Sequence, residues 1–108
     1  MYGTIARLRI KPGAEAKLEE VLKGYDVESL PGMIDEWTYR SDEDPRTYYL
    51  AVLFESKESY VKNAESPEQD QRYRRLRALL EADPEWHDGE ITHVHSHTRS
   101  ARRRSAAA

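Results

Sequence analysis

The segment Thr47–Phe54, TYYLAVLF, constrains the fold more than any other. Apart from its first residue it is wholly aliphatic or aromatic, and those residue types favour extended backbone. Its side chains are apolar on both faces, so it is predicted to be a strand covered on both sides and central in its sheet. A central strand needs neighbours. Met1–Ile10 alternates, with Tyr2, Thr4, Ala6, Leu8 and Ile10 on one face and Gly3, Ile5, Arg7 and Arg9 on the other. Met33–Arg40 opens after the Pro31-Gly32 turn signal. The polar link Ser41–Arg46 is short enough to join it antiparallel to Thr47–Phe54. Glu90–His97 alternates again and is predicted as the last strand.

Between the strands the period changes. Leu18, Val21, Leu22 and Tyr25 form one helical stripe after Pro12-Gly13. Ser56 can cap a second helix whose buried side is Tyr60, Val61 and Ala64. Ser66-Pro67-Glu68-Gln69 starts a third, with Ser66 as N-cap, Pro67 at the first helical position and Gln69 reaching back as in a capping box. Its stripe is Tyr73, Leu76, Leu79 and Leu80, and Asp83-Pro84 ends it. The order βαββ(αα)β predicts an α+β, ferredoxin-like domain over residues 1–97, with helices on one face of a four-stranded antiparallel sheet. Ile5 and its counterparts on the third strand then point away from the helices. That exposed apolar face predicts a homodimer packed sheet against sheet.

Charge and composition narrow the function classes. Residues 1–71 carry 9 basic and 15 acidic side chains, whereas residues 72–108 carry 8 and 5. The arginines at 99 and 102–104 sit in a small, polar tail, residues 98–108, with the composition of a disordered terminus. An acidic main body argues against nucleic acid as the chief partner. With no cysteine there is no disulfide, thiolate metal site or cysteine nucleophile. No run is long and apolar enough for a membrane span, and the N-terminus alternates where a secretory signal would be an apolar block. A cytoplasmic protein is the expectation. Nothing in the spacing of serines, histidines and carboxylates singles out a nucleophile.

The stretch PGMIDEWTYRSDEDPRTYYLAVLFESKESYVKNAESPEQDQRYRRL resembles the antibiotic biosynthesis monooxygenase family of dimeric α+β barrels. The shared features are a Pro-Gly before the second strand, a short acidic turn, a strand ending in aromatic-Glu-Ser, and a Ser-Pro-led helix. The resemblance covers about residues 1–96 and includes the strand, Lys-Pro-Gly and helix at the N-terminus. It implies a monooxygenase of a small phenol or quinol that works with O₂ and no bound cofactor, since the deprotonated substrate supplies the electrons. Such a protein needs a dry aromatic pocket and a hydrogen bond to the oxyanion. Trp37, Asn63 and Tyr73 are the candidate catalytic residues, with Tyr49 and Tyr60 as further lining of a cleft between helices and sheet. Two alternatives stay open: a non-catalytic dimer that binds a small apolar ligand, and a haem-binding or haem-degrading protein. The haem-degrading branch uses an Asn, a Trp and a His where an ungapped reading places Ala6, Asn63 and Tyr73, so all three are replaced, although Tyr can ligate ferric haem.

His93, His95 and His97 are spaced to share one face of a strand, and His93 and His95 are the candidate metal ligands, although no carboxylate is paired with them. Arg7 and Arg9 are expected to pair with acidic partners such as Asp35 or Glu36 across the sheet. An RNA-recognition sheet would display Tyr49, but it lacks the basic-Gly-aromatic signature.

Overall fold

The computed structural model describes residues 1–24 and 30–95. Its elements run β1 (Tyr2–Arg9), α1 (Glu15–Lys23), β2 (Met33–Arg40), β3 (Thr47–Phe54), α2 (Lys57–Ala64), α3 (Pro67–Arg77) and β4 (Glu85–Glu90). They form the α+β, ferredoxin-like arrangement expected, with an antiparallel sheet in the order β2-β3-β1-β4. Thr47–Phe54 is central, paired with β1 on one side and β2 on the other. The helices lie on the face that carries Thr4, Ala6, Leu8 and Ile10, all buried. Leu18 of α1, Leu50 of β3 and Leu76 of α3 close the core against them. Tyr25 and the tail, including His97, lie outside the described residues.

The caps explain where α2 and α3 begin. Ser56 accepts a hydrogen bond from the Ser59 backbone N–H at 3.1 Å, and the Ser56 backbone N–H donates to the Ser59 hydroxyl at 3.3 Å. At α3 the Ser66 hydroxyl accepts from the Gln69 N–H at 3.2 Å, but only half of the expected capping box forms. The Gln69 side-chain oxygen turns instead to Arg72 Nε, 3.1 Å away, where a charged donor is the stronger partner.

Two expectations are corrected at the C-terminal side. Helix α3 ends at Arg77, and Leu80 lies beyond it, fully buried, bridging to Ile10. The last strand is Glu85–Glu90, earlier than the alternating stretch Glu90–His97. The reason is tertiary. The Leu80 bridge and the bond from Glu81 N to Arg9 O, 2.9 Å, deliver the chain to the end of β1, so pairing starts at once with Arg7 opposite Glu85. All six β4 side chains are exposed, so no buried alternation announces this edge strand.

Strand β2 carries the feature that matters most for the site. Met33 pairs with Phe54, but Asp35 pairs with the next β3 residue, Leu53. One extra residue is accommodated there, a β-bulge, and it resets the alternation. Met33 and Glu36 therefore share the helix-facing side, while Asp35, Trp37 and Tyr39 face the other way.

Candidate active site

A cavity of about 390 Å³ lies between the helix-facing side of the sheet and the pair α2 and α3. Its floor comes from all four strands: Thr4, then Met33 and Glu36, then Leu50, Val52 and Phe54, then Trp86 and Asp88. Its wall is Tyr60, Asn63 and Ala64 of α2 with Gln69, Asp70, Tyr73 and Leu76 of α3. Leu30, before β2, completes it. The lining is mainly apolar, with a few polar groups at defined points, as a small-molecule site requires.

Asn63 stands where α2 gives way to α3. Its backbone carbonyl accepts from both the Ser66 N–H (3.0 Å) and the Ser66 hydroxyl (2.8 Å), so the α3 cap also anchors the residue. Tyr60 is held by ring contacts with Tyr2 and Phe54, with centroids 5.2 and 5.5 Å apart, and its hydroxyl donates to Asp88 Oδ1 at 2.9 Å. Burial, then the bond to Asp88 and that carboxylate's charge, push the Tyr60 phenol up to about 12, against the Thr4 hydroxyl, which favours ionisation. Tyr60 is thus a neutral donor already engaged. Glu36 is the other perturbed group. Removal from water raises its carboxyl above the ordinary range, and the nearby Arg72 guanidinium pulls it partly back. A second, more polar cavity of about 630 Å³ shares Leu30 and Asn63 with the first and is lined by Lys62 and Arg72.

Of the candidates read from the sequence, Tyr60, Asn63 and Tyr73 come together around this cavity. Trp37 and Tyr49 do not. Trp37 pairs with Ala51, and Ala51 with Ile5, all on the sheet face turned away from the helices. There Tyr49 stacks on Tyr39 at 5.2 Å, while Trp37 is 55% exposed, Tyr39 54% and Ile5 52%. The indole at the cavity is Trp86, set on the helix-facing side of β4 by its pairing with Ala6. Sequence reasoning missed Glu36, Trp86 and Asp88. No residue pattern announced the last two, which lie on a strand whose side chains are all exposed, and Glu36 depends on a bulge that leaves no mark in the residue pattern.

Outside the cavity, Arg7 faces Glu85 at 3.8 Å, and Arg9 pairs with Asp44 at 2.8 Å and Glu81 at 3.1 Å. The partners expected on β2 are out of reach because β3 lies between β1 and β2, and Glu36 points to the opposite face. The His93 and His95 rings approach to 4.3 Å but do not lie on a strand. Among the described residues no group of three or more His, Cys, Asp or Glu side chains is placed to hold a metal ion.

The fold and this cavity define a class of small α+β proteins with a ligand-sized chamber between sheet and helices. The sequence profile of the Antibiotic biosynthesis monooxygenase family matches residues 1–75, and the chain belongs to that family. No protein of curated function matches it in sequence. Solved structures with the same fold include a candidate antibiotic biosynthesis monooxygenase from Chloroflexus aurantiacus, 24% identical, covering 88% of this chain and 96% of its own, with a TM-score of 0.74. A conserved protein from Methanosarcina mazei is 16% identical over 84% and 92% of the two chains, TM-score 0.76. A mutant of SnoaB, a cofactor-independent oxygenase from Streptomyces nogalater, is 17% identical over 86% and 94%, TM-score 0.75. Among the described residues no helix is long and apolar enough to cross a membrane.

Proposed function

We propose that the protein is a cytoplasmic homodimer that oxidises a small phenol or quinol with O₂ and no bound cofactor, in the cavity between the sheet and α2 and α3. The observation that carries this reading is the meeting of Asn63, Tyr60 and Tyr73 around one apolar chamber in a chain of this family. A hydroquinone that loses a phenolic proton becomes electron-rich enough to reduce O₂. One oxygen atom enters the ring to give a hydroxyquinone and the other leaves as water, so no external reductant is needed. In this scheme Asn63 donates to the developing oxyanion, Tyr73 positions the ring, and the apolar floor excludes water. Trp37 and Tyr49 serve the dimer: with Ile5 and Tyr39 they form the apolar sheet face that a second copy covers, closing the α+β barrel.

Oxygen uptake across a panel of hydroquinones and anthrones tests the reading, with Asn63→Ala and Tyr73→Phe as cavity variants and Trp37→Phe as a variant of the opposite face. Uptake that saturates, falls in the cavity variants and survives in Trp37→Phe supports it. Wild-type uptake no faster than buffer across the panel, with ligands nevertheless bound, moves the protein to the non-catalytic binders.

A further inference from the structure

We infer that Glu36 is the proton acceptor of this cavity, receiving the phenolic proton of the ligand whose oxyanion Asn63 then holds; the inference rests on the phenol reading above. The bulge in β2 is the first support. Without the extra residue between Met33 and Asp35, Glu36 would fall on the open sheet face among solvated side chains. With it, Glu36 stands opposite Val52 on the cavity floor, facing Asn63 and Tyr73 across the chamber. Bulges are common next to active sites because they re-aim a side chain without altering the rest of a ladder.

Elimination among the cavity's carboxylates is the second support. From α3, Asp70 pairs with Arg74 at 3.0 Å on the helix surface. From β4, Asp88 accepts the Tyr60 hydroxyl. From α2, the Tyr60 phenol is neutral and titrates far above neutrality. Strands β1 and β3 contribute no charged group to the chamber. Glu36 remains, half-buried and facing one cation, Arg72 of α3, whose Nε is steadied by Gln69. Burial raises its basicity, and the Arg72 guanidinium partly offsets that rise. In the step itself the phenol O–H bond breaks, the O–H bond of the Glu36 carboxyl forms, and the electron pair stays on the phenol oxygen for later transfer to O₂.

The test uses two readouts on wild type, Glu36→Gln and Glu36→Asp. In the first, 4-nitrophenol is bound and its absorbance followed against pH. An adjacent carboxylate that shares the proton delays full conversion to phenolate, so ionisation should finish about one unit higher in wild type than in Glu36→Gln. In the second, oxygen uptake with the best panel substrate should fall at least about 50-fold in kcat in Glu36→Gln with KM little changed, and recover partly in Glu36→Asp. The rising limb of the wild-type pH profile should vanish in Glu36→Gln. Identical nitrophenol titrations in wild type and Glu36→Gln, or no binding of the probe at all, overturn the assignment. Absent uptake with a shifted probe titration fails the oxygenase reading alone and leaves Glu36 as the group that meets the phenol.

Discussion

The two faces of the sheet are built from the same four strands and differ in almost everything else. On the helix-facing side Ala6, Leu8 and Ile10 are fully buried, and beyond them the covering stands off far enough to leave a chamber. On the other side Ile5, Trp37 and Tyr39 each leave more than half their surface in water. The first face was completed by the chain's own helices, and the space they do not fill is where chemistry can occur. Among the described residues nothing covers the second, and a large aromatic surface in water is a driving force for association. An aromatic residue therefore has different surroundings on the two faces: Trp86 contributes to a cavity, whereas Trp37 lies exposed.

Substitutions should break the two faces in different ways. Leu8→Ala on the covered face should cost about 2–5 kcal/mol of folding stability, read from denaturant unfolding, because it removes fully buried methyl groups and leaves a void. Trp37→Glu on the open face should keep its circular dichroism spectrum yet sediment as a monomer near 12.6 kDa, with a melting temperature that no longer depends on concentration. A Trp37→Glu protein that unfolds, or that stays dimeric, would remove the contrast between the faces.

Gly32 sharpens the comparison at the edge of the covered face. Its φ is +83°, and a Cβ there would lie 2.4 Å from that of Ser59, the residue that completes the α2 cap. Gly32→Ala should therefore cost about 1–3 kcal/mol, through strain and through displacement of α2. Unchanged stability would show that the turn before β2 adapts freely.

The smallest effect concerns the cavity rim. Tyr60 ionises near 12 in the folded chain, above the roughly 10 of an unfolded tyrosine. The folded state thus favours the protonated phenol. That contribution is fully present below about pH 10 and is lost as the pH rises through about 12. Stability should decline across that window, and Tyr60→Phe should make the decline shallower. An equal slope in the variant would place the alkaline sensitivity elsewhere.

The sequence by itself determined the elements and most of their limits. Alternation located β1, the Pro31-Gly32 turn opened β2, and a run apolar on both faces marked β3; helical stripes located α1 to α3, and Ser56 and Ser66 marked the starts of α2 and α3, because all these signals are local. It also separated the two sides of β1, and with them the likeness to a family of sheet-and-helix oxygenases. Three features were decided only by tertiary structure. The position of β4 follows from the Leu80 bridge to Ile10, a contact between residues 70 apart in the chain. The sides taken by Trp37 and Glu36 follow from the bulge after Met33, which shows only in the register against β3. The ion pairs of Arg7 and Arg9 follow from strand order, which puts β3 between β1 and β2. Alternation tells that neighbouring side chains point apart; which of them meets the helices depends on pairing, and pairing is settled between distant parts of the chain.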